Sequence, residues 1–179
     1  MAYNGFPHAE FPLGPFTPYP GNPIMRPQGD TWESGSVYNP AAVIKDDRVV
    51  LLYRAQADDI VSRVGLATSE DGFHFDRYPE PVLSPSEDFD RFGCEDPRVT
   101  EVDGTYYLTY SGWDRTCPKL CLARSTDLFT WTKHGQLFPE FDTYLPVGNG
   151  LPGRWNKAGG ILPVPIDGRY LMYFGEGSI

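Results

Sequence analysis

One stretch of this chain is written twice. Asn39-Pro-Ala-Ala-Val-Ile-Lys-Asp-Asp-Arg-Val-Val-Leu-Leu-Tyr53 lies without a gap on Asp96-Pro-Arg-Val-Thr-Glu-Val-Asp-Gly-Thr-Tyr-Tyr-Leu-Thr-Tyr110, at a constant offset of 57 residues. Upstream, Pro23-Ile-Met-Arg-Pro27 answers Pro81-Val-Leu-Ser-Pro85. Downstream, Val64-Gly-Leu-Ala-Thr-Ser-Glu-Asp-Gly-Phe-His-Phe75 answers Leu120-Cys-Leu-Ala-Arg-Ser-Thr-Asp-Leu-Phe-Thr-Trp131. A third copy opens at Lys157-Ala-Gly-Gly-Ile-Leu-Pro, turns at Asp167-Gly168 and runs through Arg169-Tyr-Leu-Met-Tyr-Phe174. Allowing three inserted residues before that turn, Lys157 takes the place of Asp96. A repeat of this length restricts the architecture more than any other feature.

Within each copy, apolar residues alternate on both sides of an Asp-Asp or Asp-Gly pair, the pattern of a tight β-hairpin. Pro97 cannot donate to a ladder, so it is expected at the first residue of a strand, with Asp96 at the strand entrance. An acid there is ordinarily a cap or turn residue. Each unit holds about four strands: an inner strand, its hairpin partner, a third, and an outer strand after the Ser-x-Asp-x-Phe turn. The 18 prolines and 19 glycines suit many short strands, and no long window spaces its apolar residues for a helix. The reading is all-β, a β-propeller of four-stranded units at about 23–80, 81–138 and a truncated 139–179, after an extended arm over 1–22. A sandwich of independent hairpins is the alternative. About two and a half blades do not close a ring, so closure is expected from a longer chain or from a homo-oligomer that completes the propeller.

A net charge of −9 speaks against a nucleic-acid partner, which demands a basic face. The first residues lack a basic and an apolar leader region, and no window approaches a membrane span. Three cysteines suggest neither a disulfide framework nor a zinc site, and are read as reduced thiols in a cytoplasmic protein.

The innermost strands of a propeller line its axis. Asn39, Asp96 and Lys157 are therefore expected to converge there, as an amide, a carboxylate and an ammonium. Arg54 follows the first inner hairpin, and Arg63 sits in Ser62-Arg-Val-Gly. Trp113-Asp114-Arg115 follows the second hairpin, and Arg98 and Arg154 add charge at the same mouth. Cations gathered around one carboxylate in an acidic chain point to an anionic ligand, and arginine in particular suits a bidentate oxyanion. The residues alone leave open a catalytic site and a glycan-binding half-propeller without catalysis. Trp32, Trp113 and Trp155 are candidates for stacking on sugars or for blade packing. No metal cluster is visible.

Asn39-Pro-Ala-Ala, Tyr53-Arg-Ala, Ser62-Arg-Val-Gly, Gly93-x-Glu-Asp-Pro-Arg-Val-Thr and Trp155-Asn-Lys-x-Gly-x-Ile-Leu-Pro, in this order, resemble family 130 of the glycoside hydrolases. These are five-bladed β-propeller β-mannoside phosphorylases and related mannosidases. The resemblance covers about residues 20–179, and implies inverting phosphorolysis of β-mannosides to α-mannose 1-phosphate. Inorganic phosphate would be the co-substrate, with no other cofactor and no metal. It makes Asp96 the general acid, acting through the mannose 3-hydroxyl. Asn39, Arg54, Arg63, Glu95, Arg98 and Asp114 become sugar contacts, and Lys157, Arg154 and Arg115 phosphate contacts. An inverting β-mannosidase is the alternative within the family, and would need a second carboxylate as base. Glu33 and Asp114 are the candidates, both poorly placed in sequence.

Overall fold

The computed structural model describes residues 16–140, 145–146, 152–153 and 155–175. Two four-stranded antiparallel sheets dominate. The first runs in the order β1 (Ser36–Lys45), β2 (Arg48–Gln56), β3 (Arg63–Ser69), β4 (Asp76–Arg77). The second repeats it with β5 (Gly93–Val102), β6 (Thr105–Trp113), β7 (Lys119–Ser125) and β8 (Thr132–Gln136). Two short hairpins follow, β9 (Leu145–Pro146) with β10 (Pro152–Gly153), and β11 (Gly160–Ile161) with β12 (Met172–Tyr173). Among the described residues there is no helix, and so none long and apolar enough to cross a membrane. Residues 1–15 of the expected arm lie outside the described ones. Its end makes a turn, Asn22 N–H to Tyr19 O at 3.0 Å.

The inner hairpins turn as their residues require. Asp46 and Asp47 have φ 50° and 59°, Asp103 and Gly104 50° and 77°, Asp167 and Gly168 51° and 73°. Two successive positive φ values define the turn whose twist matches the strands, and Asp and Gly tolerate them best. The outer turns repeat too. Asp71 Oδ1 accepts the N–H groups of Phe73 and His74 at 2.8 Å each, and Asp127 Oδ1 those of Phe129 and Thr130 at 2.8 and 2.7 Å.

The sheets stack face to face in chain order. Val50, Leu52, Val64 and Leu66 of the first sheet pack against Tyr106, Leu108, Tyr110, Cys121 and Ala123 of the second. The second sheet's far face carries Thr109, whose hydroxyl donates to Gly159 O at 2.6 Å in the third unit. The first sheet's other face holds Tyr53, Ala55 and Ala67 under Met25, Trp32 and Phe75. Trp32 is thus packing, its indole N–H donating to Pro79 O at 3.1 Å.

Each sheet is tied by a buried acid that the repeat conceals behind residue exchange. Glu33 accepts from Tyr53 Oη at 2.9 Å and Arg77 Nη1 at 2.8 Å. One period later, Asp90 accepts from Tyr110 Oη at 3.1 Å and from Lys133 Nζ. Glu33, a candidate base on sequence, is consumed in this structural role. Tyr53 also fixes its cross-strand partner, because a Cβ on Gly65 would stand 2.5 Å from both the Tyr53 and Trp32 rings. Gly65→Ala is expected to destabilise by about 1–3 kcal/mol, as overpacking does, seen as a lower urea midpoint with unchanged m-value.

Two expectations are corrected here. Pro97 does not begin its strand: β5 starts four residues earlier, at Gly93. The register slips between Glu95 and Arg98, as it does between Tyr38 and Ala41 in β1. Asp96 and Asn39, at φ 50° and 47°, twist the backbone into a bulge that carries the proline out of the ladder. In the third unit the left-handed position is Ala158, φ 58°. Asn156 N–H also bonds Pro118 O, as Cys94 N–H bonds Ser62 O. Lys157 therefore matches Glu95, not Asp96, and the insertion is two residues.

Candidate active site

Bulged, left-handed backbone is allowed most readily to Gly, Asn and Asp among coded residues. The two Asx-Pro bulges of adjacent inner strands bring Asn39 and Asp96 side by side, with Asn39 Nδ2 donating to Asp96 Oδ1 at 2.7 Å. A cavity of about 460 Å³ opens between β1 and β5 at this point, lined by Asn39, Pro40, Asp96, Pro97 and Arg98. A second cavity of equal size lies on the apolar outer face of β1 and β2 beside Met25 and Tyr53. It offers no charged group, so the polar cavity is the chemical one.

Arg54 closes the site from the first sheet. Its Nη1 donates to Asp96 Oδ1 at 3.0 Å, Nη2 to Glu95 Oε1 at 2.7 Å, and Nε to Ser62 Oγ at 2.9 Å. The guanidinium lies over the Tyr38 ring, 4.7 Å from its centroid. Every Arg54 nitrogen is occupied, and the fork spans two carboxylates of the next sheet.

The two acids respond oppositely. Burial pushes Asp96 up, but hydrogen bonds from Asn39 and Arg54 and the charges of Arg54 and Lys157 outweigh it, leaving its carboxyl below the ordinary range. For Glu95, burial prevails over Arg54 and Ser62 and raises it. Lys157 lies close enough to act on both. Asp96 is thus a carboxylate with one face bound and one turned to the cavity.

The structure therefore gathers Asn39, Arg54, Glu95, Asp96, Arg98 and Lys157. It does not bring Arg63 to them. Arg63 pairs with Ala55 across the ladder, on the face opposite Arg54, and its Nη2 binds Asp59 Oδ2 at 2.9 Å. Asp114 Oδ1 accepts the N–H groups of Thr116 and Cys117 at 2.7 and 3.0 Å, holding the β6–β7 loop. Arg115, next in that loop, lays its guanidinium over Phe92 at 3.8 Å. Arg154 lies outside the described residues. Ser62, Tyr38 and Gln56 join the polar cluster unannounced. Strand parity carried the signal, because Ser62 is two residues from Val64, the partner of Arg54.

A family model for β-1,4-mannooligosaccharide phosphorylases matches residues 17–179. The 1,2-β-oligomannan phosphorylase of Thermoanaerobacter sp. (strain X514) is 33% identical over 161 residues, covering 84% of this chain and 50% of its own length. A glycoside hydrolase structure from Bacteroides ovatus is 37% identical with TM-score 0.75, covering 91% of this chain and 54% of that one. Another structure, from work on mannoside-phosphorylase relatives that are hydrolases targeting β-1,2 mannosidic linkages in Candida mannan, is 36% identical with TM-score 0.75, covering 88% and 52%. The chain spans about half the length of the curated relatives it matches.

Proposed function

The chain belongs to glycoside hydrolase family 130, the family of the mannooligosaccharide phosphorylases, and from that premise we propose that it carries the proton-donating centre of an inverting β-mannoside phosphorylase. The observation that carries this reading is the state of the two acids. Asp96 offers its open face to the cavity, while Glu95 has Oε1 bound by Arg54 and Ser62. An inverting hydrolase needs a second carboxylate about 6.5–9.5 Å away with room for water. Glu95 stands beside Asp96, on the same side and already engaged. A nucleophile that arrives ionised removes that need, and phosphate is one.

In this reading a phosphate oxygen attacks C1 of mannose as the C1–O bond to the leaving sugar breaks. Asp96 passes its proton to the 3-hydroxyl oxygen, and the 3-hydroxyl proton moves to the departing oxygen. Asp96 ends as carboxylate, and the products are α-mannose 1-phosphate and the shortened acceptor. The free protein holds Asp96 ionised. Asn39 and Arg54 do most to depress Asp96; phosphate bound near Lys157 offsets the smaller share that Lys157 adds, which favours proton uptake in the ternary complex. In the reverse, synthetic direction the carboxylate is already the base required. The relatives named for β-1,2 linkages make β-1,2-mannobiose the first substrate to try.

Incubating the protein with β-1,2-mannobiose should release mannose 1-phosphate only when phosphate is present. Equal release of free mannose with and without phosphate would instead establish the β-mannosidase reading, in keeping with the hydrolases that the family contains.

A further inference from the structure

Ser62 is the residue at which the two full sheets join. Its carbonyl accepts Cys94 N–H at 2.9 Å and its N–H donates to Phe92 O at 3.4 Å, making a parallel bridge with Gly93. Its side chain is fully buried. The hydroxyl accepts from Arg54 Nε at 2.9 Å and donates to Glu95 Oε1 at 3.1 Å, with Gln56 Oε1 at 3.4 Å as the longer alternative.

The repeat separates the backbone role from the side-chain role. At the next seam Pro118 occupies the place of Ser62, and its carbonyl still accepts a backbone N–H, from Asn156 at 3.4 Å. Joining two sheets therefore requires no hydroxyl. Of the two seams, the hydroxyl stands at the one crossed by Arg54, whose repeat partner at the second seam is Ser111.

We propose that Ser62 is a positioning residue for Asp96, acting through Arg54: its hydroxyl locks the guanidinium in the one orientation that reaches Glu95 and Asp96 together. This rests on Asp96 being the proton donor. A guanidinium is planar, so fixing Nε by Ser62 and one face by Tyr38 fixes where both Nη groups point. Without the hydroxyl, the buried Nε–H is left unsatisfied, which is costly. The fork then rotates to regain a bond at Glu95 and withdraws from Asp96. The groups that face Asp96 are Asn39 and Tyr38 from β1, Arg54 from β2, Glu95 beside it and Lys157 from the third unit, and of these Arg54, Tyr38, Glu95 and Lys157 are charged or titratable. Withdrawal of Arg54 destabilises the carboxylate form, so Asp96 titrates at higher pH.

Ser62→Ala tests this by two independent readouts. The first is turnover: kcat for phosphorolysis should fall roughly 10- to 100-fold, the cost of displacing a catalytic group by about 1 Å, with the mannoside KM little changed. The second needs no activity: carbon-13 titration of the Asp96 carboxyl should move to higher pH. In a Glu95→Gln background, where the acceptor of the hydroxyl is altered, Ser62→Ala should add less than it does alone. If Ser62→Ala fails to fold, Ser62→Cys, of similar shape but a weak donor, is read in the same way. An unmoved Asp96 titration, or unchanged kcat, overturns the proposal even if thermal stability drops. A moved titration in a protein that never turns over mannosides supports Ser62 as the positioning residue and sinks the phosphorylase reading instead.

Discussion

Asp96→Asn should abolish turnover and leave the fold standing. The asparagine keeps an oxygen for Asn39 Nδ2 and Arg54 Nη1, and it tolerates the φ of 50° at the bulge. What it loses is the transferable proton, and general acids contribute roughly 10²–10⁴-fold to rate. Steady-state phosphorolysis and synthesis should fall together, because the same carboxyl serves as acid in one direction and base in the other. Circular dichroism and the unfolding midpoint should match those of the parent protein. A variant retaining more than about a tenth of the activity would remove Asp96 from the mechanism.

The second large effect lies in stability. Asp90 has no exposed surface, and Lys133, Tyr110 and Cys94 all aim donors at its Oδ2. Asp90→Asn keeps Oδ1 for the N–H groups of Ser86 and Glu87 but turns an amide donor toward those three donors, leaving the Lys133 charge without its carboxylate and bonded only to Ser84 O and Ser86 Oγ, at 2.7 and 3.0 Å. Breaking one partner of a buried pair costs about 3–5 kcal/mol, against a whole-domain stability of about 5–15 kcal/mol. Chemical denaturation should show the loss directly, and a change below about 1 kcal/mol would mean that Ser84 O and Ser86 Oγ are enough to hold the Lys133 charge. Asp90 is held below the ordinary carboxylate range: burial pushes it up, but Lys133 and the two backbone N–H groups outweigh that. Its contribution is therefore present above its unfolded pKa, and it is lost as pH falls through the folded value. Acid should weaken the parent protein more than Asp90→Asn.

The two sheets, their strand order and the inner turns are legible in the repeat itself, since alternation and Asp-Gly pairs report local backbone geometry directly. The convergence of Asn39 and Asp96 was legible for the same reason. The bulge was not. A proline in a strand-like run reads as a strand start, and only the left-handed φ of the preceding Asx explains its presence inside β5. Lys157 was placed one residue out because the third unit puts Ala158 at the twisted position, where alanine gives no cue. Arg63 was drawn to the site by its charge, although parity turns it toward Asp59. Glu33 drew attention only as a candidate base, and its shared structural role with Asp90 escaped notice because Glu exchanges with Asp and Arg with Lys between copies, so pairwise identity hides a shared ion pair.

The Asx-Pro bulge also bears on how such a centre arises. Two neighbouring inner strands carry the same twisted backbone, and they differ at its apex by an amide nitrogen in place of an oxygen. Asn and Asp codons are one nucleotide apart, so the position that becomes the acid and the position that serves it are separated by a single genetic step. A duplicated blade brings with it a second seat for a proton donor. Which copy holds the donor is then decided by the reach of one arginine across the seam.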